Sequence, residues 1–111
     1  MDLVAYPKNG EAWLINLEPT IGSEIRKTRP CIVISPDEIN KLLRTVIVAP
    51  LTSTIKNYPT RVSIVFQERE SSIALDQIRS VDKSRLLQKL GNLSQEDSEA
   101  VSNVLVNMFS R

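Results

Sequence analysis

The sequence predicts a mainly β domain with short helices, a small, strongly curved sheet or SH3-like barrel closed by a C-terminal helix. Three observations predict it. Short runs of alternating or β-branched apolar residues recur at 11–18, 31–35, 45–54, 61–66 and 72–82. One long stretch, 94–109, carries helical periodicity instead. The chain has 111 residues, 41% of them hydrophobic and 24% charged, enough for one domain spanning 1–111 but with little burial to spare. A sheet curled on itself, or a core enlarged by pairing two copies, answers that shortage.

Asn9-Gly10 is a turn signal that delivers the chain into the first strand. There Trp13, Ile15 and Leu17 fall on one face, while Leu14 shares the other with Ala12 and Asn16. Trp13 is read as packing rather than as a platform for a nucleobase. Pro30 suits the first position of the next strand, where a missing N–H costs no ladder bond, and it pushes Arg29 toward an extended backbone. Ser35-Pro36-Asp37-Glu38 starts a short helix with a stripe of Ile39, Leu42 and Leu43. Residues 45–54 form the most hydrophobic strand, expected to be central, with Pro50 weakening its end or marking a bulge. Val62, Ile64 and Phe66 line one face of the following strand, and 67–71 make a charged turn. The run 72–82 is long for one strand and is expected to bend at Asp76-Gln77. Leu86, Leu87 and Leu90 suggest two helical turns over 83–90, stopped by Gly91. The last helix is the clearest element. Ser94 caps it, Leu93 precedes the cap, Asp97 stands at the third position, and Val101, Val104, Leu105 and Met108 repeat at helical spacing.

A net charge of +1 says little, but its distribution says more. Residues 26–61 hold seven lysines and arginines against Asp37 and Glu38, a balance of +5, whereas 94–110 hold three acids and no base. One basic face could meet a polyanion. The longest apolar run is far short of the roughly 20 residues that cross a membrane as a helix, and no signal peptide is visible. The single cysteine, Cys31, alternates inside a strand and is read as a buried thiol, which is consistent with a cytoplasmic protein.

No histidine is present, which removes the commonest neutral-pH proton shuttle, and with one cysteine no Cys/His zinc site can form within one chain. No metal site or cofactor motif is read from the sequence. What remains are carboxylates, cations and hydroxyls, groups suited to holding a phosphate while charge develops on it. Three segments supply them. The polar link 19–30 between the first two strands carries Glu24, Arg26, Lys27 and Arg29. Thr52 and Ser53 follow the central strand. Asp76 and Gln77 interrupt an apolar run, where Asp76 is either one half of a structural ion pair or a functional carboxylate. Arg79, Asp82, Lys83 and Arg85 read as a solvated rim.

The stretches 10–30, with its Gly22-Ser23-Glu24 and Arg29-Pro30, 45–53, and 75–83, with Leu75-Asp76-Gln77-Ile78-Arg79, resemble the MazF/PemK family of toxin endoribonucleases from toxin–antitoxin modules. The resemblance implies a barrel-like homodimer whose groove takes single-stranded RNA, and a cognate acidic antitoxin that occupies it. It implies metal-free cleavage by a ribose 2′-oxygen, leaving a 2′,3′-cyclic phosphate and a 5′-hydroxyl. Carried over by position, Arg29 is catalytic, Thr52 supports the reacting phosphate, and Glu24 is the loop acid. Asp76 matches an acid that some members use, with Ala74 where those members have arginine. Contacts to RNA are expected from Arg26, Lys27, Ser53, Lys56 and Gln77. Ile25 replaces a frequent glutamine. The rival readings are a gyrase-binding toxin resembling CcdB and a non-catalytic RNA-binding module, neither of which needs Glu24, Arg29 and Thr52 to converge.

Overall fold

The computed structural model describes residues 6–18 and 28–111. Its elements are β1 (Glu11–Asn16), β2 (Thr28–Val33), α1 (Asp37–Leu42), β3 (Thr45–Thr52), β4 (Arg61–Phe66), β5 (Arg69–Ala74), β6 (Arg79–Asp82), β7 (Leu86–Asn92) and α2 (Gln95–Phe109), with 3-10 turns at Leu75–Gln77 and Lys83–Arg85. All strand pairs are antiparallel, in the order β4-β5-β3-β2-β1-β7, with β6 alongside β3. The expected curved sheet with a closing helix is what the chain forms.

The end of β2 (residues 31–33) and the stretch 48–51 of β3 are buried on both faces, which is why they run apolar without alternation. One face carries Ala12, Ile32, Ala49, Leu51, Val62, Ile64, Ile73 and Leu75, and α2 covers it through Val101. The opposite face carries Ile15, Leu17, Cys31, Val33, Val46, Val48 and Val81, with Trp13 and Leu86 packed against them. Trp13 is therefore packing, and its Nε1–H donates to Glu11 Oε1 at 2.9 Å. Gly10 turns with φ +87°, a conformation that calls for glycine, and a Cβ there would stand 3.3 Å from Ser98 Oγ.

Three expectations are corrected. Residues 83–90 do not form a helix: after one 3-10 turn they become β7, which fills the second edge of β1. An open edge of N–H and C=O groups outweighs the helical spacing of three leucines. The stripe of α1 faces solvent, Leu42 at 78% exposure, and the helix is held instead by buried Asn40. Its Nδ2 donates to Ser35 O at 2.9 Å, and Ser35 Oγ accepts from Ile47 N at 3.0 Å. The turn expected over 67–71 contracts to Gln67 and Glu68, both in the left-handed region, and Arg69 already belongs to β5.

Candidate active site

β3 is flanked by β2 on one edge and, on the other, by β6 and then β5. Arg79 of β6 pairs with Val48, and Ile73 of β5 pairs with Leu51. Pro50 sits in the gap between those two partners, where its missing N–H breaks no ladder bond, and it faces Cys31 of β2. β3 stops at Thr52, opposite Ser72, while β5 extends past it through Ser71, Glu70 and Arg69. Counting two residues on from the Cys31–Pro50 pair brings Arg29 and Thr52 abreast. The slot left beyond the end of β3 is a groove of about 230 Å³, with Arg29 on one wall, Thr52 and Ser53 at its base, and Arg69, Glu70 and Ser71 on the other wall.

Arg29 and Thr52 are positioned by backbone structure. Arg29 pairs through its main chain with fully buried Ile15, which fixes where its guanidinium leaves the sheet. Cys31 beside it is buried, and burial pushes its thiol up to about 12 against the opposing pull of Arg79 and Arg29. It remains a small neutral hydrophobe. Thr52 Oγ1 accepts from Thr54 N at 3.1 Å. That bond orients the hydroxyl and leaves its proton available to donate.

Asp76 has other company. Arg61 Nε donates to its Oδ1 at 2.6 Å and Arg61 Nη2 to its Oδ2 at 3.2 Å, while Thr60 Oγ1 donates to Oδ1 at 3.1 Å. The Arg61 guanidinium, first among these causes, holds the Asp76 carboxyl below its ordinary value, and Asp76 in turn raises Arg61. Asp76 does not line the groove. Neither does half-buried Gln77, which shares its 3-10 turn, nor exposed Lys56 in the loop after β3. Glu24, Arg26 and Lys27 lie outside the described residues.

Sequence reasoning brought Arg29, Thr52 and Ser53 together and missed the opposite wall. Arg69, Glu70 and Ser71 were placed in a turn. The signal for them is the two-residue connection at Gln67-Glu68, which registers Arg69 against Phe66 and extends the strand through all three. Arg79 and Arg85 are also more than a rim. Arg79 Nη1 donates to Leu17 O at 3.1 Å, and Arg85 Nη1 donates to Asn16 O at 3.1 Å and to Glu18 O. Two guanidinium groups thus grip the end of β1, whose Ile15 and Asn16 pair with Arg29 and Thr28.

Larger hollows exist, of about 480 Å³ beside Asn9, Asn92 and Ser98 and about 510 Å³ beside Ser63, Glu96 and Asp97. Among the described residues no lysine or arginine lines either. For an anionic ligand charge outweighs volume, and the smaller groove holds both Arg29 and Arg69.

Known proteins resemble this chain over most of its length. The family model described as PemK-like, MazF-like toxin of type II toxin–antitoxin system matches residues 8–109. "Endoribonuclease EndoA" of Bacillus subtilis (strain 168) is 38% identical over 104 residues, covering 88% of this chain and 90% of that one. The crystal structure of MazF from Deinococcus radiodurans superposes with a TM-score of 0.83 at 25% identity, covering 97% of this chain and 100% of that one. A mycobacterial endoribonuclease in complex with its cognate antitoxin shares the fold, with a TM-score of 0.78 at 20% identity over 91% of this chain and 92% of that one.

Proposed function

The chain belongs to the PemK-like, MazF-like toxins of type II toxin–antitoxin systems, and from that premise we propose that it is a metal-independent, sequence-specific endoribonuclease acting on single-stranded RNA. The observation that carries this reading is the meeting of Arg29, Thr52 and Ser53 in one cationic groove.

The 2′-hydroxyl gives its proton to a carboxylate, and the 2′-oxygen forms a bond to the adjacent phosphorus. The bond from phosphorus to the 5′-oxygen breaks, leaving a 2′,3′-cyclic phosphate, and the departing 5′-oxygen takes up a proton from water. A guanidinium keeps its own proton across the range of protein pH, so Arg29 stabilises the developing charge with a fork of donors rather than acting as a base. Thr52 donates to a non-bridging oxygen. Glu24 is assigned the base. Asp76 is the second choice, because a carboxylate already accepting from Arg61 and Thr60 is a weak proton acceptor. Arg26, Lys27, Ser53, Lys56 and Gln77 are assigned contacts along the RNA. A second copy of the chain completes the groove, and a cognate acidic antitoxin neutralises the enzyme in the cytoplasm.

Purified protein in excess chelator is expected to cut mixed-sequence RNA and leave DNA intact, since only RNA carries the nucleophile. Arg29→Ala is expected to lower kcat on the order of 10²-fold or more. Loss of cutting in chelator with recovery on adding magnesium would overturn the mechanism, and an unchanged rate in Arg29→Ala would remove that residue from it.

A further inference from the structure

We propose that Glu70 selects the base beside the cut phosphodiester, accepting adenine, cytosine or guanine and turning uracil away; the proposal rests on the ribonuclease reading above. Among the described residues Glu70 is the one carboxylate lining the groove that holds Arg29, Thr52 and Arg69. It is exposed, and among the described residues its side chain has no hydrogen bond or ion pair. Neither the sheet nor the core therefore requires an acid at this position.

A site for a polyanion gains nothing from an unpaired carboxylate, which repels the phosphates that Arg29 and Arg69 attract. The arrangement becomes favourable when the carboxylate accepts hydrogen bonds from the ligand itself. An ionised carboxylate only accepts. In single-stranded RNA the Watson–Crick edge, which a duplex would occupy, is free to be read. Adenine, cytosine and guanine each present an exocyclic amino donor there, whereas uracil presents two carbonyl oxygens about a single N–H. Uracil offers Glu70 only that N–H, set between two oxygens that both oppose the carboxylate.

The strand register supplies the spacing. Ser72 is the cross-strand partner of Thr52, and Glu70 stands two residues before it on β5. Residues two apart on a strand share a face, so Thr52 and Glu70 are diagonal neighbours, separated by roughly 7–8 Å. A phosphate held at Thr52 leaves room at Glu70 for the base of an adjoining nucleotide. Beyond Glu70 lies the hollow of Glu96 and Asp97, so the acidic side of the groove begins at this residue.

Fluorescence anisotropy with uncleavable 2′-O-methyl oligomers of A, C and U tests the proposal without needing turnover. The wild-type protein is expected to bind the A or C oligomer about tenfold more tightly than the U oligomer, the discrimination one good base contact supplies. Glu70→Ala is expected to bind the U oligomer more tightly than wild type does, because a repulsion is gone, and to keep less than twofold preference. Glu70→Gln, which can both donate and accept, should likewise lose the preference. A wild type without preference, an unchanged ratio in both variants, or a parallel fall for all three oligomers would overturn it. The last of these is the signature of a merely structural residue. Cleavage is read separately on a long RNA: if wild type binds with the stated preference but cuts nothing, the nuclease reading fails and the base selection stands, and if it binds none of the oligomers both fall.

Discussion

Asp76 carries Arg61 on both carboxylate oxygens, and Arg61 in turn lies over the Tyr58 ring, its guanidinium carbon 5.3 Å from the centroid. That company makes Asp76 a joint between the loop before β4 and the turn after β5. Its carboxyl is held below the ordinary value by Arg61, so the pair's stabilisation is present above the unfolded value and is lost as pH falls through the lower, folded one. Asp76→Asn is expected to cost about 1 kcal/mol at pH 7, the low end for a charge-assisted bond because the Asp76 side chain is 34% exposed. The gap between wild-type and variant melting temperatures should close below about pH 4. A gap that stays constant from pH 7 to pH 3 would show that the ion pair is not its source. At this scale the sequence was legible wherever a residue type has few uses. An acid inside Ile73-Ala74-Leu75-Asp76 announces a partner, but nothing local says that the partner is Arg61, fifteen residues earlier.

Strands and helices were legible when their own pattern decided them. β4 keeps the predicted bounds, and α2 begins at the predicted cap, where Ser94 Oγ accepts from Asp97 N at 3.1 Å. β7 was not legible, because three leucines at helical spacing carry no trace of the edge of β1 that they meet on folding. α1 failed for the opposite reason: its apolar stripe is real, yet the fold buries the amide of Asn40 and turns the stripe outward. The β4–β5 hairpin adds strain that composition does not reveal. Gln67 and Glu68 occupy left-handed backbone at φ 52° and 65°, the pattern of a type I′ turn that glycine and asparagine usually fill. Glu68→Gly is therefore expected to raise stability by about 1 kcal/mol, read as an upward shift in the denaturant midpoint with an unchanged slope. No shift, or a downward one, would show that the turn is relaxed as it stands.

The whole molecule presents two unlike surfaces. Lys41 and Arg44 stand beside the exposed Ile39, Leu42, Leu43 and Ile47, whereas α2 carries Glu96, Asp97 and Glu99. Large apolar side chains gathered on one face of so small a domain fit a contact between copies. Light scattering at micromolar concentration is expected to give about twice 12.5 kDa, and a strictly monomeric result would remove the shared groove from the functional reading. The groove itself draws on residues 29–30, 51–53 and 66–71, walls that meet only because β3 ends between its neighbours. One of those walls leans on α2: β4 packs there through Val62 and Ile64 against Val101. Every groove residue is thus synthesised before the helix that steadies the wall. A wall steadied by the last element of the chain is expected to settle only once α2 has emerged and docked. Expression of residues 1–94 without an antitoxin is expected to leave host growth and cellular RNA intact, although all the groove residues are present. Growth arrest by that fragment would show that the cutting site forms before the helix docks.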